Sequence, residues 1–220
     1  MLTFLFLASA LTFSPLTYTM GSNKDNNEKT LQAYEINVNT YVEQTPQIVS
    51  GEIKQWIDRA LGFITKDATV LELGSGFGRD ANYIQSLGYT IELTDGAASF
   101  VALLQGMGYK ARVLNLLTDT IGGSYSMIFA NAVLLHFSPQ ELKEILEKLH
   151  QSLLPSGILA FTVKQGNGQD WEHEKLNAPR YFCYWQPDSL RALLSTCGFK
   201  IEELSESSDA KWLRVIARKS

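Results

Sequence analysis

The sequence predicts an α/β fold: a seven-stranded, mostly parallel sheet with helices on both faces and an antiparallel hairpin at its C-terminal edge. Three observations predict it. Short apolar strand patterns alternate with amphipathic helical patterns from Thr69 to Gly198, as in a parallel sheet wound with crossover helices. A glycine-rich turn, Gly74–Gly78, joins the first strand to the helix that follows it. The last two strand patterns, Phe199–Leu204 and Trp212–Ala217, have no helix between them and so pair antiparallel.

Each element has its own local reason. From Lys29 to Gln44 the pattern is helical: Leu31, Tyr34 and Val38 share a face, Tyr41 and Val42 extend it, and Pro46 stops it. Ser50 stands as the cap of a second helix, which turns Ile53, Trp56, Ile57, Ala60 and Leu61 to one side and ends at Gly62. Thr69–Leu73 is the first strand, and Arg79–Leu87 is the helix after the turn, ended by Gly88. Strands two, three and four are Tyr89–Thr94, Tyr109–Leu114 and Tyr125–Ala130, with a helix over Ala97–Gln105. Ser138-Pro139-Gln140-Glu141 opens a long helix. Ser138 caps it, Pro139 sits in the first turn where its missing N–H costs nothing, and Glu141 completes a capping box. That helix runs to about Leu153. Pro155-Ser156-Gly157 then turns into strand five, Ile158–Val163, and Pro187–Cys197 is a helix stopped by Gly198.

The chain has 220 residues, which suits one such domain; residues 29–220 are assigned to it and residues 1–28 to a lead-in. Apolar residues make up 45% and charged residues 19%, so a packed core is expected. The net charge is −4 and no Lys/Arg run stands out, which argues against a nucleic-acid partner. Cys183 and Cys197 belong to no CxxC or ligand-spaced cluster and read as free thiols of a reducing, cytoplasmic compartment, with no metal site. No charge precedes Lys24, Leu2–Leu11 is apolar, and Ala8-Ser9-Ala10 resembles a cleavage site. A signal peptide would need a basic start. Thr12, Ser14, Pro15 and Thr17 interrupt the run short of the roughly 18 residues of a membrane helix, so no stable span is expected. The remaining reading is translation from Met20; a translated segment would instead be a membrane anchor. Asn23–Lys29 is polar and reads as flexible.

The chemistry lies in Val70-Leu71-Glu72-Leu73-Gly74-Ser75-Gly76-Phe77-Gly78-Arg79-Asp80. A strand, a glycine turn and a helix in this order make the fold Rossmann-like, since the glycines admit a ligand close to the backbone and the helix amides face it. The spacing is G-x-G-x-G, not the G-x-G-x-x-G of dinucleotide sites. Glu72 just before the turn would repel a pyrophosphate but suits a positively charged ligand. S-adenosylmethionine carries a sulfonium and an ammonium and no phosphate. Asp95, at the end of strand two, falls where such sheets place a ribose-binding acid; the alternative is a cap of the next helix.

These residues resemble the first motif of the class I S-adenosylmethionine-dependent methyltransferases, and the likeness extends from about Tyr34 to Ala217. Thr94-Asp95 is similar to the acidic second motif, and Asn115-Leu116-Leu117 to the stretch after strand three. Ala130-Asn131-Ala132-Val133-Leu134-Leu135-His136-Phe137 is similar to the strand-four motif, and Leu154-Pro155-Ser156-Gly157-Ile158-Leu159 to the turn before strand five, with Ser156 replacing a glycine. The resemblance implies that Gly74, Ser75 and Gly76 pack on the methionine end of the cofactor, that Gly78 belongs to the same binding turn, and that Glu72 orients the cofactor's amine or the loop, partly through water. It implies that Arg79 meets the cofactor carboxylate, Thr94 and Asp95 hold the ribose, and Asn115 and Leu116 frame adenine. Ala130 and Asn131 would face the amine. Arg79 as a surface cation and Asn115 as a turn residue are the plain alternatives. Tyr34, in an N-terminal helix closing over the cofactor, is preferred to Tyr41; core packing is the alternative.

His136 lies after strand four, at the carboxyl edge where these sheets build their sites. A neutral imidazole there can take a proton from an acceptor, or simply line the cofactor pocket. Lys164–Trp185 is long for a connection and reads as a lid or substrate loop. It holds Trp171, His173, Tyr181, Phe182 and Trp185, which alternatively cover the sheet edge. The expected activity is SN2 methyl transfer to an N, O or S atom of a small molecule. Its rivals are modification of protein or tRNA, a non-catalytic cofactor-binding regulator, and a nicotinamide dehydrogenase.

Overall fold

The computed structural model describes residues 23–220, so the readings of the apolar opening segment lie outside the described residues. The sheet follows from strands whose alternate residues face opposite layers. β1 (Thr69–Leu73) pairs in parallel with β2 (Thr90–Asp95) on one side and β4 (Tyr125–Ala130) on the other, and β3 (Ala111–Val113) adds beyond β2. β5 (Leu153–Gln165) pairs in parallel with β4. β9 (Trp212–Lys219) is antiparallel to β5, and β8 (Phe199–Glu206) is antiparallel to β9. The expected C-terminal hairpin is therefore present.

Alternation sorts the core into two layers. Leu71, Leu73, Ile128, Leu159 and Phe161 face α6 (Pro139–Ser152) and α7 (Pro187–Thr196), meeting Leu142, Leu146, Leu190 and Leu194. Val70, Met127, Phe129 and Ala160 face the other way, against α3 (Gly51–Leu61) and α4 (Arg79–Ser86). There the Trp56 ring lies 5.2 Å from Phe129. Leu104 of α5 (Ala98–Gly106) joins that layer. Among the described residues no helix is long and apolar enough to cross a membrane.

The structure differs from the sequence expectation in four places. The described sheet has nine strands, not seven: β6 (Gln169–Glu172) and β7 (Arg180–Trp185) form a hairpin within Lys164–Trp185. The cause is the length of β5. Lys164 pairs with Trp212 of β9 and also with Tyr184 of β7, so β7 occupies the edge of β5 that β4 leaves free past Ala130. Much of the expected loop is therefore sheet, held just beyond the carboxyl end of β4. Second, the single helix over Lys29–Gln44 is two, α1 (Asn23–Ile36) and α2 (Val38–Glu43). At the break, the Asn37 side chain donates to the Ala33 carbonyl at 2.8 Å, a local bond that competes with helix continuation. Third, α1 begins at Asn23, inside the stretch expected to be flexible. Fourth, Ser50 occupies the N-cap position of α3 but its side chain makes no capping bond.

At α6 the capping box is complete: Ser138 N–H donates to Glu141 Oε2 at 2.8 Å, and Glu141 N–H donates to Ser138 Oγ at 3.4 Å. Ser138→Ala should lower unfolding stability by about 1 kcal/mol, read as a drop in the denaturant midpoint at unchanged slope.

Candidate active site

β1 delivers the chain into a turn in which Gly74 and Gly76 hold φ of +63° and +55°, left-handed values that side chains resist. A Cβ on Gly74 would stand 2.3 Å from Val133 Cγ2, so contact as well as conformation demands glycine there. The turn is stitched to the end of β2. Ser75 N–H donates to the Thr94 carbonyl at 2.8 Å, Thr94 N–H to Ser75 Oγ at 3.2 Å, and the Thr94 hydroxyl to the Glu72 carbonyl at 2.7 Å. Asp95 completes the join. Its Oδ2 accepts the Gly76 N–H at 2.9 Å and its Oδ1 accepts the Ala97 N–H at 2.8 Å. The N-cap of α5 is Ala97, so Asp95 is not that helix's cap. Burial pushes the Asp95 carboxyl up to about 6, against the pull of the N–H groups that it accepts.

A cavity, partly open to solvent, lies over this turn. Of the residues named from the sequence, Gly74, Gly76, Thr94, Asp95, Asn115, Leu116, Asn131, Tyr34 and His136 line it. Glu72, Ser75, Gly78, Arg79 and Ala130 are not on its wall. Glu72 is buried behind the turn, Ser75 is engaged with Thr94, and Gly78 packs toward Leu104. Arg79 pairs with Asp80 at 2.7 Å, so it is no free surface cation either, and Ala130 is enclosed in β4. Asp80 in turn accepts from Asn131 Nδ2 at 2.8 Å, and Asn131 Oδ1 accepts from Thr162 Oγ1 at 2.9 Å. Thr162 Oγ1 also accepts the Ala132 N–H at 2.8 Å, which holds Ala132 at φ 59°.

Sequence reasoning missed part of the wall. Asn27, Thr30 and Leu31 of α1 face the cavity, and Tyr41 joins Tyr34 there. Asn27, Leu31 and Tyr34 fall at helical spacing on one face, a signal hidden by the polar composition around Asn27. Asn115 has the turn character: its Oδ1 accepts the Leu117 N–H at 3.0 Å, while its Nδ2 donates to Asn27 Oδ1 at 3.0 Å.

His136 sits in a short 3-10 turn and is buried. Its Nδ1 is 2.7 Å from the Tyr181 carbonyl, which can only accept, so Nδ1 carries the proton. Nε2 then accepts from the Tyr34 hydroxyl at 2.9 Å. Burial pushes the imidazole down to about 4, with the nearby Arg180 charge contributing. It is neutral and its lone pair is engaged. Glu72 is the opposite case. Its Oε2 has no partner, and burial, then the Asp80 charge, raise its carboxyl above the ordinary range.

A family model described as a methyltransferase domain matches residues 42–204. No curated protein matches the chain significantly. Among solved structures, the fold is similar to the 1,6-didemethyltoxoflavin-N1-methyltransferase of Burkholderia thailandensis, solved with 1,6-didemethyltoxoflavin and S-adenosylhomocysteine bound. The identity is 18% over 97% of this chain and 93% of that one, with a TM-score of 0.67. The CcbJ methyltransferase from Streptomyces caelestis is 15% identical over 87% and 99% of the two chains, with a TM-score of 0.70. The magnesium protoporphyrin IX methyltransferase of Synechocystis PCC 6803, solved with bound SAM, is 12% identical over 91% and 100%, with a TM-score of 0.69.

The two perturbed groups have opposite signatures. Between the ordinary histidine value of 6.5 and about 4 the unfolded chain binds a proton that folded His136 refuses, so its contribution to stability is full above that window and falls as pH drops through it. His136→Gln should therefore lose less stability than the wild type on acidification across the window, measured as denaturant midpoints. Glu72 holds its proton better folded than unfolded, so its cost grows as pH rises above the ordinary carboxylate value of 4.5. Glu72→Gln should raise the melting temperature at alkaline pH and show little gain in acid.

Proposed function

The chain belongs to the class I S-adenosylmethionine-dependent methyltransferases, and on that premise we propose SN2 transfer of a methyl group from S-adenosylmethionine to an N, O or S atom of a small molecule. The observation that carries this reading is the charge of the cavity wall. Among the described wall residues there is no Lys or Arg, and the one carboxylate is Asp95. Such a wall suits a cationic nucleoside and opposes a pyrophosphate.

In this reading Asp95 keeps lone pairs, beyond those engaged by Gly76 and Ala97, for the ribose hydroxyls. Thr94 and Asn131 flank it, Asn115 and Leu116 frame adenine, and Gly74 and Gly76 admit the methionine end. Glu72, Ser75, Gly78, Arg79 and Ala130 act from behind the wall by shaping the turn. The cofactor supplies an already activated methyl group, so the protein's task is chiefly alignment. His136, held neutral with Nε2 engaged, is a positioning residue: it fixes the hydroxyl of Tyr34, which α1 lays across the cavity. A role as base would require Tyr34 to leave Nε2.

A small-molecule acceptor is supported by the Burkholderia and Synechocystis enzymes, whose names carry such acceptors. The functional unit is read as residues 29–220 together with the earlier part of α1. The buried free thiols of Cys183 and Cys197 accord with a cytoplasmic setting.

Asp95→Ala should weaken S-adenosylhomocysteine binding at least about tenfold, because hydrogen bonds to a charged, buried group contribute about 1.5–3 kcal/mol. Calorimetric titration of wild type and variant measures this, and equal affinities would remove Asp95 from the ligand.

A further inference from the structure

Arg180 of β7 is 5% exposed, yet its charge is poorly answered. Nε has no partner, and the guanidinium's hydrogen bond is a long one, from Nη1 to the Tyr34 hydroxyl at 3.4 Å. Among the described residues no carboxylate lies within ion-pair distance of it. Glu172, its register partner across the hairpin, is taken by Lys164 Nζ at 2.5 Å and by the Tyr184 hydroxyl at 2.7 Å. The rings of Tyr34 and Phe182, 5.8 Å and 5.1 Å away, offset part of the charge. A guanidinium does not shed its proton, so enclosing it without a counter-charge costs stability.

A second cation stands close by. Lys175 donates to Thr45 Oγ1 at 2.6 Å and lies 4.0 Å over the Tyr41 ring. Burial, then the charges of Arg180 and Arg79, pull its ammonium down to about 8. The two cations thus sit behind Tyr34 and Tyr41, the same aromatic pair that lines the cofactor cavity. The cavity wall is acidic where the cofactor is read to lie, and the ground beyond those tyrosines is basic.

We propose that Arg180, assisted by Lys175, anchors a carboxylate on the methyl acceptor. The proposal rests on the methyltransferase reading and adds the acceptor's chemical class. A planar guanidinium with its Nε edge unspent matches the two oxygens of a carboxylate.

Calorimetric titration of benzoate, and of its neutral isostere benzamide, into the S-adenosylhomocysteine-loaded protein tests this. The expected result is saturable benzoate binding at least about tenfold tighter than benzamide, with the preference lost in Arg180→Met. Equal affinity for the two, no saturable benzoate binding, or an unchanged preference in Arg180→Met overturns it. The comparison of the two probes on wild-type protein decides the matter even if the variant does not fold. S-adenosylhomocysteine affinity is read in a separate titration, and its absence would count against the methyltransferase reading. In that event the two probes, run on the unloaded protein, still judge Arg180 by itself.

Discussion

The site hangs on one carboxylate joining two loops. Asp95 accepts an N–H from the turn after β1 and another from the start of α5, so the ends of adjacent strands move as one piece. Without that join the left-handed glycines would be set only by their own conformational preference, and Gly74 is as free to leave φ +63° as to hold it. Tertiary contact makes the choice: Val133, from the segment after β4, leaves space for hydrogen alone at Gly74. Three strand ends thus define the cavity floor, and the carboxyl edge of a parallel sheet is where such ends converge.

A second constraint comes from the other end of the sheet. β5 outruns β4, and its free edge recruits β7. That places Tyr181 where its carbonyl accepts a hydrogen bond from His136 Nδ1, and so leaves Nε2 to accept from the hydroxyl of Tyr34. The hairpin, the turn after β4 and the N-terminal helix are linked through one imidazole. Because the link consists of hydrogen bonds from a neutral ring, its strength is set by the exclusion of water and not by charge.

The molecule keeps two expensive groups near its cavity. Among the described residues Glu72 has a carboxylate oxygen with no hydrogen-bond partner, and Arg180 a guanidinium with no carboxylate at ion-pair distance. Arg180 is a buried charge at a net cost to the ligand-free fold, and Glu72, its carboxyl raised by burial, costs more as pH rises. In the carboxylate-anchor proposal a ligand completes Arg180, whereas Glu72 lies behind the turn.

Much of this was legible in the chain. Gly74–Gly78 after an apolar strand, Asp95 at the end of the next and the Ser138–Glu141 box each declare themselves within a few residues, because turn geometry and capping are local. Burial alternation placed the core strands for the same reason. Asn27 was hidden because a polar helix start looks like a flexible lead, and only packing over Gly96 and Asn115 reveals the inner face of that helix. Arg79 and Glu72 were read toward the ligand by position in the motif, whereas their directions depend on Asp80 and on burial. The pairing of Tyr34 with His136 spans 102 residues of chain. Sequence alone therefore determined the parallel core of the sheet with its C-terminal hairpin, the glycine turn and its acid. Which side chains face the cavity, and which charges stay unanswered, was decided by the tertiary structure, because those outcomes depend on contacts between segments whose meeting no local pattern encodes.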